Sequence, residues 1–216
     1  MKPSQVAIIE KHPLWIRWTH WINFPLLGLM AWSGILIYWA NRVYFPSLPS
    51  GLYESLHLDH RLALGMAVHF TLMWLLVING VLYLAYLAFS GEWRELCPRP
   101  RDFRDALYVT LHDLGLRKAA PPQAKFNAAQ KIAYSGVVLM GLGSVLTGLA
   151  IYKPVQAQGL ARLFFGYEGA RLVHYGLLVL FILFFGVHVA QVIRAGWNNF
   201  RAMIAGYEIQ EPHDSE

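Results

Sequence analysis

RLVHYGLLVLFILFFGVHVAQVIRAGW, residues Arg171–Trp197, holds the reading that decides the fold. Inside it, Leu172–Ile193 runs 22 residues without Asp, Glu, Lys or Arg. About 20 such residues carry a helix across the hydrocarbon core of a bilayer. Three further runs lack charge: Trp18–Asn41 with 24 residues, Leu62–Gly91 with 30 and Ile132–Tyr152 with 21. The 30-residue run is longer than a crossing needs, so it tilts or projects beyond the bilayer. A chain of 216 residues has too little protein to cover four such helices, which excludes buried helices of a soluble domain.

Composition agrees. The chain is 56% hydrophobic and 14% charged, where a soluble domain carries about a quarter charged residues. Disorder and an ordinary water-soluble enzyme are excluded. The single cysteine, Cys97, excludes a disulfide framework, a cysteine-held iron–sulfur cluster and thioether attachment of a cofactor, each of which needs at least two thiols. A net charge of +5 on so apolar a chain reports cytoplasmic loops rather than nucleic acid. The first run is too long for a signal-peptide core and has no small-residue cleavage site near its end, so it is expected to remain as an anchor.

Basic residues set the orientation. Thirteen lie before the first run, between the second and third, or after the fourth, and five lie on the other side. The positive-inside rule places both termini and the middle loop in the cytoplasm. Trp15, Trp18, Trp93 and Trp197 mark the cytoplasmic interface; Trp39, Tyr44, Tyr152 and Tyr167 mark the opposite one. The expectation is an all-α, integral membrane four-helix bundle, up-and-down, with both termini cytoplasmic. It forms one domain over residues 1–216, with spans at about 17–41, 62–91, 131–152 and 171–194 and a cytoplasmic loop at 92–130. In that loop Pro98–Arg117 reads as an amphipathic surface helix with Phe103, Leu107, Leu111 and Leu114 on one side. Pro121–Pro122 breaks the chain before the third span.

Three spans contain histidine: His20 in the first, His69 in the second, His174 and His188 in the fourth. An imidazole in hydrocarbon costs free energy unless it finds a partner. His174 and His188 are fourteen residues apart, about 40° short of four full turns, so both rings leave one face of the helix. Their separation along the axis is about 21 Å, close to two-thirds of the hydrocarbon thickness. His20 lies three residues past Arg17 and His188 six before Arg194, which puts both near the cytoplasmic surface. His69 is 23 residues from Glu92 and His174 is 20 from Arg194, so their depths agree within about 5 Å. Two pairs result, His20 with His188 and His69 with His174.

Two imidazoles facing each other across an apolar bundle suit a b-type haem. Its iron takes one imidazole on each face, its macrocycle needs an apolar slot, and its propionates need cations at the membrane surface. Arg17 and Arg194 are placed for the cytoplasmic propionates, Arg61 and Arg171 for the far ones. Zinc wants four ligands at one point and is not served by two ligands at each of two levels. Gly136, Gly141, Gly143 and Gly148 in the third span, with Gly28, Gly34, Gly65, Gly176 and Gly186 elsewhere, would let a flat ring or a neighbouring helix come close. His12, His57, His60, His112 and His213 read as surface residues.

HPLWIRWTHW (His12–Trp21), the His69–Phe70 pair followed by SGEW (Ser90–Trp93), and Arg171–Trp197 together resemble the di-haem cytochrome b subunits of bacterial nickel–iron hydrogenases and formate dehydrogenases, within the prokaryotic cytochrome b561 superfamily. The resemblance runs from Lys11 to Tyr207. The segments NAAQKIAYSGVVLMGLGSVLTGLAIYKPVQ and AGWNNFRAMIAGYE are similar to cytochrome b proteins paired with periplasmic molybdopterin oxidoreductases of the sulfite-oxidase type. The resemblance implies two haem b groups, with the first and fourth helices ligating the cytoplasmic one and the second and fourth the periplasmic one. It also implies electron transfer across the bacterial inner membrane between a periplasmic redox partner and the quinone pool.

The function expected is therefore that of a multi-pass di-haem cytochrome b, in contact with lipid, quinone and a periplasmic oxidoreductase or other electron carrier, with no nucleic acid. Gln191, Asn198, Asn199 and Lys131 are polar groups near the expected quinone end. One alternative is a free-standing quinone-linked cytochrome b reacting with a small oxidant or reductant such as superoxide. Another, of a different class, is a proton or metal transporter using the histidines as a relay, which would purify colourless. A structural anchor would tolerate loss of all four histidines.

Overall fold

A computed structural model describes residues 7–119 and 126–210; Pro121–Pro122 and His213 lie outside them. The described chain is almost wholly helical. In order it forms β1 (Ala7–Glu10), α1 (Leu14–Tyr38), α2 (Ser50–Ser55), α3 (Leu62–Ser90), α4 (Trp93–Leu96), α5 (Pro100–Asp113), α6 (Ala128–Tyr152), α7 (Gln158–Leu163), α8 (Gly166–Ala205) and β2 (Tyr207–Gln210). The helices α1, α3, α6 and α8 are each long and apolar enough to cross a membrane. Their large side chains are widely exposed, Leu183 at 61% and Val187 at 62% among them, which is the surface a lipid-facing helix presents.

Sequence explains most boundaries. Pro13 precedes α1 and takes the N-cap position, where its missing N–H costs nothing. α6 opens on a capping box: Gln130 N donates to Asn127 Oδ1 at 2.8 Å and Asn127 N donates to Gln130 Oε1 at 3.0 Å. The expected surface helix forms as α5. Its Asp102 carboxylate accepts from Arg99 N at 2.7 Å, and that hydrogen bond, with Lys131 nearby, holds the carboxyl below the usual range. α8 is two helical segments joined at Gly196, whose φ of 80° suits a residue without Cβ; the first segment stops close to the expected end of the fourth span.

The described residues form two compact units, one within 7–85 and 195–210, the other within 86–194. In the first, α1 and α3 pack so closely that a Cβ on Gly65 would stand 3.0 Å from Leu36. A small core of Leu36, Tyr53 and Leu58 folds the segment after α1 back onto that helix. In this unit β1 and β2 pair antiparallel, Ala7 opposite Gln210 and Glu10 opposite Tyr207. The two ends of the described chain therefore pair. In the second unit α5 and α4 lie against α6, and Ala150, Ala161 and Ala170 form a core joining α6, α7 and the start of α8.

Candidate functional site

The buried polar side chains of the apolar helices are few, and two of them lead to the histidines. In the first unit, α1 carries Ser33 followed by Gly34. Ser33 is fully buried, and its Oγ lies 3.0 Å from Nδ1 of His69 on α3. A Cβ on Gly34 would stand 3.7 Å from His69 Cε1, so the imidazole rests on helix backbone. In the second unit the pattern repeats. Thr147 of α6 is fully buried, its Oγ1 lies 2.8 Å from Nδ1 of His174 on α8, and Gly148 follows it. A Cβ there would stand 3.4 Å from His174 Cε1.

His20 and His188 sit in aromatic surroundings. His20 meets Trp21 edge-on at 5.3 Å between ring centres. Phe184, one turn before His188, stacks nearly parallel to it at 5.7 Å. All four histidines are half-buried. The remaining described histidines lie outside the four long helices: His57 and His60 exposed, His12 and His112 half-buried.

Arg17 precedes His20 by three residues on α1, as Arg171 precedes His174 on α8, so each guanidinium sits one turn from an imidazole. Arg17 Nη1 donates to Ile204 O at 2.6 Å, and its Nε is buried without an acceptor among the described residues. Arg171 pairs with Glu168. Arg61 is exposed immediately before α3. Arg194 donates to Asp113 O at 2.8 Å and so binds the end of α5.

The polar residues expected near a quinone have structural partners. Asn198 holds β2, donating to Ile209 O at 2.8 Å and accepting from Ile209 N at 3.1 Å. Asn199 accepts from Lys11 at 3.1 Å. Gln191 reaches Asp113 at 3.4 Å. Lys131, buried, lies 3.7 Å from the equally buried Asp102 and ties α5 to α6. A different feature of the first unit has the size and lining of a small-molecule site. A groove of about 670 Å³ between α1 and α3 is walled by Trp18, Trp21, Leu75 and Ile78, with Arg17 and Asn79 among its lining residues. Asn79 is buried and donates to Thr19 O at 2.9 Å and Asn23 Oδ1 at 2.8 Å. Sequence reasoning did not single out Ser33, Thr147 or Asn79, although an Asn amid apolar residues is a detectable signal.

The family model described as prokaryotic cytochrome b561 matches residues 11–206. The chain is also 35% identical over 187 residues to the putative protein-methionine-sulfoxide reductase subunit YedZ1 of Azospira oryzae, an alignment covering 84% of this chain and 89% of that protein.

Proposed function

The chain belongs to the prokaryotic cytochrome b561 family of membrane haem b electron-transfer proteins, and from that premise we propose that it holds two b haems and moves electrons across the bacterial inner membrane. His20 and His188 would hold one haem near the cytoplasmic surface, His69 and His174 the other near the periplasmic surface. The observation that carries this reading is four half-buried imidazoles in otherwise apolar helices, two of them fourteen residues apart on α8.

The residues present fit the group. Neutral imidazole is a common axial donor, and the apolar helix faces exclude water from it. Gly34 and Gly148 leave backbone where a side chain would press on a ligand ring. The buried Nε of Arg17, one turn from His20, supports a role for this guanidinium toward a propionate. Arg171 stands at the same offset from His174, while Arg61 and Arg194 remain proposed propionate partners near the helix ends. When bound, haem b supplies a one-electron ferric/ferrous couple whose potential the axial ligands and nearby charge tune.

Quinone is the proposed membrane-soluble partner, and the α1–α3 groove its proposed seat. The volume accommodates a quinone ring with the start of its tail, and Trp18 and Trp21 offer flat apolar walls. Arg17 would donate to a quinone oxygen, and Asn79, whose amide hydrogens are taken by Thr19 and Asn23, would offer its Oδ1 to a quinol hydroxyl. The partner on the other side is proposed to be a periplasmic oxidoreductase, and the name of the Azospira oryzae relative favours one acting on protein methionine sulfoxide. The resemblance to cytochromes paired with molybdopterin enzymes points the same way.

The test uses the purified protein in lipid nanodiscs. Added quinol should reduce its haem, seen as a shift of the Soret band. Asn79→Leu should slow that reduction about tenfold while haem content is kept. Reduction by dithionite but not by any quinol would contradict the quinone assignment. A periplasmic oxidoreductase should copurify from the native membrane.

A further inference from the structure

We propose that Ser33 and Thr147 are positioning residues that fix the tautomer and ring orientation of His69 and His174. The inference rests on the reading of these two histidines as ligands of one haem.

A hydroxyl has one hydrogen to donate and lone pairs to accept with. Ser33 Oγ donates to Met30 O at 3.1 Å, and Thr147 Oγ1 donates to Gly143 O at 2.7 Å, both on their own helices. In the proposed arrangement that hydrogen stays on the helix carbonyl, and each oxygen accepts from the ring nitrogen beside it. The proton of each imidazole then sits on Nδ1, and the lone pair on Nε2. That is the tautomer an axial ligand presenting Nε2 requires. A hydrogen-bond acceptor behind Nδ1 also makes the ring a stronger donor to a metal.

Placement supports a shared purpose. Ser33 is five residues before Tyr38, where α1 ends, and Thr147 is five residues before Tyr152, where α6 ends. Each lies about 7.5 Å inside its helix terminus. Each is followed by the glycine on which the histidine ring rests. The two clasps are built in different compact units from different helices, yet they use the same order of residues and serve the two histidines assigned to one haem. Helix packing alone does not require a buried hydroxyl beside each ring at the same distance from its helix end.

The experiment compares full-length wild type with Thr147→Val, Thr147→Ser, Ser33→Ala and Ser33→Thr, each in nanodiscs. Three properties are read: the low-spin ferric electron paramagnetic resonance signals, the midpoint potentials by optical titration, and the rate of haem transfer to apomyoglobin. Thr147→Val and Ser33→Ala should each move one haem signal, raise that haem's potential and speed its loss about tenfold. The other haem serves as an internal control and should stay in place. Thr147→Ser and Ser33→Thr should restore wild-type values. Unchanged signal, potential and loss rate in both deletion variants would overturn the proposal, as would failure of the hydroxyl-bearing variants to rescue. Should Thr147→Val fail to accumulate, Ser33→Ala, which removes one oxygen atom, gives the same three readings. Failure of the underlying haem reading is distinct: wild type would then lack a second haem, or His69→Ala would keep both.

Discussion

His69 and His174 are held by hydroxyl groups on neighbouring helices, whereas His20 and His188 lie against the rings of Trp21 and Phe184. The difference teaches what each contact can specify. A hydroxyl contact fixes the rotation of the imidazole and, in the arrangement proposed above, holds its proton on Nδ1. An aromatic face or edge fixes the plane of the ring and supplies apolar bulk, and leaves proton placement to other groups. In one molecule, then, two histidines meet a buried hydroxyl and two meet an aromatic ring.

The largest effects should come from breaking either side outright. His69→Ala and His174→Ala should each remove the far haem, and His20→Ala and His188→Ala the near one. Haem per chain would fall from about two to about one in every case. Spectra of the two classes should differ from each other and agree within a class. Loss of both haems in equal measure from all four variants would break the assignment of pairs. A smaller effect is expected from Arg17→Gln. It removes a charge one turn from His20 and the hydrogen bond to Ile204 O, so it should lower the potential of the near haem and leave the far one unchanged in a redox titration.

The aromatic side of the comparison is sharpened by Phe184→Leu. An aromatic contact is worth about 1 kcal/mol beyond area, so near-haem loss to apomyoglobin should quicken about fivefold without a change of tautomer or of the far-haem signal. Smallest should be the glycine series. A Cβ at Gly148 meets His174 Cε1 at 3.4 Å, while one at Gly34 stays 3.7 Å from His69 Cε1. Gly148→Ala should therefore broaden or shift the far-haem resonance, and Gly34→Ala should barely alter it.

Much of the fold is legible in the sequence because hydrocarbon imposes coarse rules. Twenty uncharged residues in a row have few other destinations, so α1, α3, α6 and α8 appear in the places the charge-free runs give. Pro98–Arg117 is readable because its apolar residues recur at helical spacing, and α5 forms within it. β1 and β2 are not readable: four residues each, one of them exposed throughout, they are held by a pairing between opposite ends of the sequence and by Asn198. The break in α8 at Gly196 falls beside the expected end of the fourth span, while the short helix that follows it carries no membrane-length pattern to announce it.

The candidate site divides in the same way. Histidines stand out against leucine and valine. Ser33 and Thr147 do not, because hydroxyl side chains satisfy themselves on their own helix and are common in membrane spans. Their meaning depends on which ring the next helix brings up to them. Arg194 and Lys131 look like free cations in sequence, yet each is engaged by the α5 segment, through Asp113 and Asp102. Long-range partners of this kind are set by packing, which no local pattern encodes.

The most direct test of the central claim is haem stoichiometry. Pyridine haemochrome absorbance, set against protein mass by amino-acid analysis, should give two b haems per chain in the purified full-length protein. A ratio of one, or a colourless preparation from haem-replete cells, would contradict the account.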